Sequence, residues 1–226
     1  MSDKAKQLAA ERAIEFVKDG QIVGLGTGST ARFAIEGIAA KVREGLSITG
    51  VATSLATERM AEGLGITLTS LNEVTAIDIT IDGADEVDGS FNMIKGGGGA
   101  LTREKLVALA STKRVIIVDD RKLVLTLGES WPVPVEVLQF AWTRSALMLN
   151  ALGGAAELRR SGQNPFETDN GNYIMDCRFG PISNPSELEK SINLIPGVVE
   201  CGLFIGIADT LVIGFDDHVE IKERKP

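Results

Sequence analysis

Residues 22–30 have the sequence IVGLGTGST, a short apolar run followed by glycines that alternate with hydroxyl residues. The apolar run is typical of a buried strand, and the hydroxyl residues Ser29 and Thr30 can begin a helix. A strand, a tight glycine turn and a helix in this order are the first parts of a parallel βαβ unit. This stretch therefore predicts an α/β fold.

The same alternation continues on both sides of this stretch. A helix is predicted near residues 4–18 and another from about Ser29. The segments that follow are a strand at 48–53 (ITGVAT), a helix, a strand at 76–82 (AIDITID), a helix at 101–111 (LTREKLVALAS) and a strand at 114–120 (RVIIVDD). We expect a Rossmann-like, mostly parallel sheet with helices on both faces.

A different pattern begins at Trp131, in the segment WPVPVEV. The order becomes strand, helix, strand, strand, helix, strand, which is typical of a ferredoxin-like α+β domain. The predicted pieces are 134–137 (PVEV), a helix at 140–152, 155–159 (AAELR), 172–177 (NYIMDC), a helix that begins at Asn184-Pro185 with Glu187 in a capping box, and 198–204 (VVECGLF). We predict an α/β catalytic domain at 1–130 and a smaller ferredoxin-like domain at 131–205.

Two segments leave alternatives open. Two strands predicted within 206–226 either complete the first domain, which we expect, or extend the second. The polar segment 159–172 is interpreted as a mobile hairpin loop, although its length also permits a contact with a partner.

Charge and composition exclude several classes of partner and site. With 31 acidic residues against 23 Lys and Arg, the chain has a formal charge of −8, which repels nucleic acids and anionic membranes. An anionic substrate therefore needs a local site of backbone N–H groups and a lysine. The first twenty residues lack the apolar run of a signal peptide, so a cytoplasmic protein is expected. Cys177 and Cys201 form no CxxC pair, and free, buried thiols are expected in such a reducing compartment.

The one histidine, His218, cannot supply a catalytic triad or a multi-histidine metal site. Acid and base chemistry is therefore expected from carboxylates and lysines, with no metal and no cofactor.

The first candidate site is the segment 24–30 (GLGTGST) between a strand and a helix. Its N–H groups and hydroxyls can bind a phosphate. Ser29 replaces the third glycine of a dinucleotide fingerprint, and no GK[ST] follows, so nucleotide binding is disfavoured. A tight turn with a helix cap explains the segment about equally well.

The second candidate is the acidic segment 82–88 (DGADEVD), at the carboxyl end of a predicted strand, where open α/β sheets bind their ligands. A calcium loop is excluded because its twelfth position holds Met93. A solvated turn accounts for Glu86 and Asp88. Asp82 and Asp85 lie closest to the strand end and can divide proton donation and acceptance between them.

The third candidate is the glycine loop, residues 95–99 (KGGGG), followed by a helix that carries Glu104. Four glycines together are entropically unfavourable in a folded chain, which is explained if a ligand must approach the backbone closely. Taken alone, Glu104 is a common helix-dipole acid, and Lys122, beyond another strand, is a common surface lysine.

Six blocks occur in the order found in type A ribose-5-phosphate isomerases: GTGST, DGADEVDG, KGGGGALTREK, PVEV, TDNGN and INLIPGVVECGLF. The chain resembles this family over nearly its whole length. The resemblance implies an isomerase that interconverts D-ribose 5-phosphate and D-ribulose 5-phosphate in the non-oxidative pentose phosphate pathway, and a homodimer or homotetramer.

By this resemblance Glu104 matches the general base, and Asp82, Asp85 and Lys95 are expected to assist it. Residues expected to contact the substrate are Thr27, Gly28, Ser29 and Thr30 at the phosphate, Asp82, Gly83, Ala84 and Asp85 at the hydroxyls, Lys95, Gly96, Gly97 and Gly98 at the reacting end, and Lys122. Arg121 departs from the small residue expected before that lysine.

The chemistry also fits the residues directly, because aldose–ketose conversion needs a base that moves a proton between C2 and C1. Two other functions are compatible with some of these features. One is a sugar-phosphate sensor without catalysis, and the other is a sugar-phosphate deaminase or CoA transferase of the same superfamily, the latter with a glutamate nucleophile.

Overall fold

The computed structural model of the protein describes residues 3–224, which form two compact units. The first contains residues 3–84, 103–122 and 207–224, and the second contains Asp85–Thr102 and Leu123–Gly206. Within these described residues, no helix has both the length and the apolar character needed to cross a membrane.

The regular elements of residues 3–224 alternate along the chain as follows. The helices are α1 (Asp3–Ile14), α2 (Ser29–Arg43), α3 (Leu55–Gly63), α4 (Leu101–Leu109), α5 (Trp142–Ala151) and α6 (Pro185–Asn193). The strands are β1 (Ile22–Leu25), β2 (Thr49–Ala52), β3 (Ile77–Asp82), β4 (Glu86–Val87), β5 (Met93–Ile94), β6 (Ser111–Asp119), β7 (Val133–Val137), β8 (Ala155–Leu158), β9 (Arg160–Ser161), β10 (Asn164–Pro165), β11 (Tyr173–Arg178), β12 (Val198–Cys201), β13 (Leu203–Phe204), β14 (Thr210–Gly214) and β15 (Val219–Glu223).

The first unit is built on one sheet with the strand order β15-β14-β6-β3-β1-β2. All neighbouring strands in it are parallel except β15, which pairs antiparallel with β14. The predicted mostly parallel sheet is confirmed. In the tail, β14 pairs with β6, so this strand belongs to the same sheet.

Helices cover both faces of this sheet. Val23 and Leu25 of β1 pack in a core cluster with residues of α1 and α2. Gly24 points to the opposite face, where a methyl group added to it would lie 2.7 Å from Cγ1 of Val107 in α4. Because neighbouring side chains of a strand point to opposite faces, α4 lies on the face away from α1 and α2.

The second unit contains the predicted ferredoxin-like arrangement. Its elements follow as β7, α5, β8, β11, α6 and β12, and its antiparallel sheet has the order β12-β7-β11-β8. Apolar residues of β7 and β11 form its core together with residues of both helices. The helix α6 begins as expected, since the Asn184 side chain accepts from the Glu187 amide and Pro185 occupies the first turn.

Several predicted bounds differ from the structure. The first helix ends at Ile14, earlier than residue 18, and α5 begins at Trp142 because Ala141 has a left-handed φ of 58°. The segment VVECGLF contains two strands, since β12 and β13 belong to different sheets.

The small sheet β13-β5-β4 also belongs to the second unit. The second unit also contains Asp85–Thr102 and residues 123–130, which the sequence assigned to the first domain. The domain division at 1–130, completed by 206–226, and 131–205 stays a proposal.

Cys177 and Cys201 are free and fully buried, and burial raises the pKa of the Cys177 thiol, so it is a poor nucleophile.

Candidate active site

The loop of residues 27–30 joins β1 to α2. Gly28, the residue before the helix, has a left-handed φ of 112°, a conformation that glycine adopts without strain. Because glycine has no side chain, no side-chain cap covers the first turn of α2. Gly28 and Ser29 are exposed. The start of this fifteen-residue helix has the geometry of an anion site, as its N–H groups and dipole favour negative charge.

Thr27 holds this loop to the start of α3. Its Oγ1 lies 2.8 Å from the hydroxyl oxygens of Thr53 and Ser54 and 3.1 Å from that of Thr57. The Thr57 hydroxyl in turn donates to the Gly26 carbonyl at 2.9 Å. Thr27 stays a predicted phosphate contact, although its side chain already has protein partners.

A lysine that the sequence did not point to lies at the same loop. Lys6 Nζ in α1 donates to Ser29 Oγ at 3.0 Å, and the Lys6 side chain is 14 % exposed. It also lies 3.9 Å from a carboxylate oxygen of Asp3. The two partners are separated by 23 residues, so no local pattern signals the contact.

Asp82, the last residue of β3, is buried at 2 % exposure. Its Oδ1 accepts from the Gly83 amide at 2.7 Å and from the Thr27 amide at 3.1 Å. The structure thus brings together Asp82 and the 27–30 loop. Bonds to two backbone amides fix the orientation of this carboxylate, as its predicted role requires.

In the second unit, Asp85 lies beside the glycine loop. The Gly97 amide donates to Asp85 Oδ2 at 2.7 Å, and the Asp85 amide donates to the Ile94 carbonyl at 2.8 Å. A methyl group on Gly97 would lie 2.8 Å from Asp85 Oδ1, so a larger residue would displace this carboxylate. Ala84, which precedes Asp85 in the chain, is partly exposed.

Lys95 begins the glycine loop and is buried at 3 % exposure. Its amide donates to the Gly202 carbonyl at 2.9 Å, and its Nζ lies 5.5 Å from the ring centroid of Phe204, within the range of a cation–π contact. Gly97 and Gly98, further along the loop, are exposed. The loop therefore combines a buried ammonium group with accessible backbone.

Glu104 lies in the first turn of α4 and is buried at 4 % exposure. A carboxylate shielded from bulk water in this way is suited to proton transfer, since water does not compete for the proton.

Lys122 lies in a short 3₁₀ turn after β6 and is partly exposed. The preceding Arg121 points back to the buried Asp119, with Nε donating to Oδ1 at 2.8 Å, so the arginine stabilises the turn.

A second residue missed from the sequence is Glu136 of β7, which is completely buried. It accepts hydrogen bonds from Thr168 at 2.8 Å, Asn172 at 2.9 Å and Asn170 at 3.1 Å, and also from the hydroxyl of Thr102 in α4. The TDNGN block is therefore an ordered turn around a carboxylate, and no partner contact is needed to explain it. A charged residue in the otherwise apolar PVEV strand was the available signal.

One group in residues 3–224 has three possible metal ligands within 4.8 Å of one another, namely Glu189, Glu200 and Cys201. Cys201 is fully buried, and Glu200 already accepts from the Asn193 side chain and the Cys201 amide. These hydrogen bonds explain the position of Glu200 without an ion.

Comparison with known proteins places these features in a family. The family model described as Ribose 5-phosphate isomerase A (phosphoriboisomerase A) matches residues 49–218, which include Asp82, Glu104 and Lys122. Ribose-5-phosphate isomerase A of Gloeobacter violaceus is 52 % identical over 220 residues, which are 97 % of this chain and 96 % of the relative. That of Sphingopyxis alaskensis is 48 % identical over 219 residues, again 97 % of this chain and 96 % of the relative.

Solved structures agree in fold. Ribose 5-phosphate isomerase A from Methanocaldococcus jannaschii has a TM-score of 0.93 and 40 % identity, and the match covers 98 % of this chain and all of that one. A D-ribose-5-phosphate isomerase in complex with phospho-erythronic acid has a TM-score of 0.96 and 40 % identity, with 99 % of this chain and all of that one covered.

Proposed function

This chain belongs to the ribose 5-phosphate isomerase A family and interconverts ribose 5-phosphate and ribulose 5-phosphate; we propose that Glu104 is the base of this reaction. The observation that supports this role is a carboxylate, 4 % exposed, in the helix turn that directly follows the glycine loop. Glu104 removes the proton from C2 of the open-chain aldose and returns it to C1. The intermediate is an enediolate, and no atom is gained or lost overall.

The phosphate of the substrate is assigned to the 27–30 loop. The N–H groups at the start of α2 and the hydroxyls of Ser29 and Thr30 supply hydrogen bonds. The Lys6 contact with Ser29 supports a further role for this lysine, since its ammonium group supplies positive charge at the loop of a protein whose net charge is −8. Thr27 and Gly28 give the loop its shape.

Asp82 and Asp85 are assigned to the sugar hydroxyls, together with the backbone of Gly83 and Ala84. Both carboxylates have orientations fixed by backbone amides. One of them assists ring opening and moves a hydroxyl proton, which must shift between O1 and O2 as the enediolate forms and collapses.

The charge that develops on the enediolate is assigned to the glycine loop. Lys95 and the N–H group of Gly98 are donors for this oxygen, in a setting where fixed dipoles need no reorientation during the reaction. The Gly97 N–H donates to Asp85 and so holds that carboxylate beside the loop. Lys122 is assigned a contact with the substrate. The proposed mechanism uses neither a metal nor a cofactor.

The test is the formation of ribulose 5-phosphate by purified protein in the presence of EDTA. Glu104→Gln should lower kcat by about 10²–10⁴-fold, the usual contribution of a positioned base, with KM changed much less. The matched control is Glu58→Gln, because Glu58 is an exposed glutamate in the first turn of α3 and should leave kcat unchanged. Near-normal kcat in Glu104→Gln would remove Glu104 as the base, and inactivation by EDTA would contradict the metal-free mechanism.

We further propose a cytoplasmic enzyme of the non-oxidative pentose phosphate pathway that acts as a homodimer or homotetramer. Two free, buried cysteines fit a reducing compartment. Large apolar side chains exposed in the second unit support self-association, notably Phe140 at 89 % and Leu194 at 82 %. No nucleic-acid or membrane partner is proposed, since the chain is acidic.

A further inference from the structure

Arg159, in the second unit, binds the backbone of the glycine loop. It lies between β8 and β9, and its Nη1 donates to the Gly96 carbonyl at 2.8 Å and to the Gly97 carbonyl at 3.1 Å. Two consecutive peptide groups of the loop are thus bound by a single guanidinium group.

Arg159 is itself fixed. Its Nε donates to Asp176 Oδ2 at 2.9 Å and its Nη2 donates to Asp176 Oδ1 at 2.5 Å, so the pair is bidentate. The Arg159 amide also donates to the Ile174 carbonyl at 2.8 Å, and its side chain is 14 % exposed. A planar guanidinium group can bind a carboxylate and two carbonyls at once, which an ammonium group cannot do with the same geometry.

The direction of the loop amides follows from these bonds. In a trans peptide the carbonyl and the following N–H point in opposite directions. Because the Gly96 carbonyl accepts from Arg159, the Gly97 N–H points away from the arginine and donates to Asp85. Because the Gly97 carbonyl also accepts from Arg159, the Gly98 N–H points away from the arginine as well.

We propose that Arg159 is a positioning residue that presets the Gly98 amide for the negative charge of the reacting end and the Gly97 amide for its bond to Asp85. The inference rests on the proposed function of the glycine loop as the oxyanion site. Arg159 acts through the Gly96 and Gly97 carbonyls and does not touch the substrate. Consecutive glycines have more backbone freedom than other residues, and Arg159 restricts that freedom before the substrate binds.

The test compares Arg159→Lys and Arg159→Gln with the wild type in the isomerase assay. We expect kcat to fall by about 10- to 100-fold, somewhat less than for direct loss of an oxyanion donor, and KM to change by less than about threefold. The matched control is Arg160→Gln. Arg160 is the next residue, is exposed and donates to the Gln163 carbonyl, and its replacement should leave both constants unchanged.

Two probes separate positioning from a merely structural role. The first is phospho-erythronic acid, whose carboxylate resembles the enediolate, and the second is inorganic phosphate, which tests the 27–30 loop alone. In the Arg159 variants the affinity for the acid should fall in parallel with kcat, while the affinity for phosphate stays at the wild-type value. Equal weakening of both probes would indicate general structural damage and would overturn the proposal, as would wild-type kcat with wild-type affinity for the acid.

If Arg159→Lys and Arg159→Gln do not fold, a second variant, Asp176→Asn, tests the proposal. Asp176→Asn leaves Arg159 in place but weakens its bidentate pair, and it should give a smaller, equally selective loss of kcat and acid affinity. Unchanged values in Asp176→Asn would then overturn the proposal. If the wild type itself does not isomerise ribose 5-phosphate, the proposed function fails instead, and the two binding probes still decide the role of Arg159.

Discussion

At the residue scale, the loop after β1 depends on the absence of a side chain at Gly26. A methyl group there would lie 2.2 Å from Oδ1 and 2.6 Å from Cα of Asp82. The Cα atom belongs to the backbone of a central strand and cannot move aside. Glycine at this position therefore permits Asp82 and the 27–30 loop to approach each other.

We predict that Gly26→Ala lowers both activity and stability. Overpacking of this kind destabilises proteins by about 1–3 kcal/mol, and the displaced Asp82 carboxylate should lower kcat/KM as well. The isomerase assay and thermal unfolding measure the two effects. The control is Gly63→Ala at the end of α3, where no atom lies within 4 Å of the added methyl group and stability should not fall. Wild-type kinetics in Gly26→Ala would show that the contact with Asp82 is dispensable.

At the element scale, β7 and the start of α4 are connected through a single buried carboxylate. Glu136 accepts from Thr102, in the first turn of α4, and from three residues of the 168–172 turn. A buried carboxylate is tolerated only when its oxygens are satisfied in this way. The turn and the helix start thus share one acceptor.

We predict that Glu136→Gln is strongly destabilising although the two side chains have the same shape. The new amide group would direct N–H donors at groups that are themselves donors, and each buried donor left unsatisfied costs about 1–3 kcal/mol. Denaturant unfolding should show a lower free energy of unfolding. Glu157→Gln, at an exposed position of β8 in the same sheet, should have no such effect. Equal stability of the two variants would contradict the acceptor role of Glu136.

At the scale of the whole molecule, large apolar side chains of the second unit are exposed, which supports the proposed self-association. They include Leu125, Leu138, Phe140, Leu147, Met148 and Leu194. Large exposed apolar patches are typical of association surfaces. A second copy of the chain is the partner we propose.

We predict that the wild type sediments at two or four times the chain mass of 24.0 kDa. The double variant Phe140→Asp, Leu194→Asp should shift toward the monomer, because burying two carboxylates at the interface is unfavourable. Lys18→Asp, at an exposed position of the first unit, is the control and should leave the mass unchanged. A wild-type monomer at micromolar concentration would contradict the proposed oligomer.

Local sequence patterns determined the elements of the fold. The apolar run before GTGST, the capping residues at Asn184-Pro185 and the order of elements after Trp131 predicted a parallel sheet and a ferredoxin-like unit, and both are present. Such signals are local, because strand pleating, helix periodicity and end capping depend on residues a few positions apart. The six sequence blocks in order also identified the family, which the comparisons confirmed.

Tertiary structure alone decided which distant residues meet. Lys6 bonds to Ser29, Arg159 binds Gly96 and Gly97, and β14 returns to β6 across more than ninety residues. No periodic pattern encodes these contacts, since each depends on how whole elements pack. The sequence therefore established the elements, the family and the candidate catalytic groups. The contacts that Arg159 and Glu136 make with distant segments depend on the packing of those segments, which no local pattern encodes.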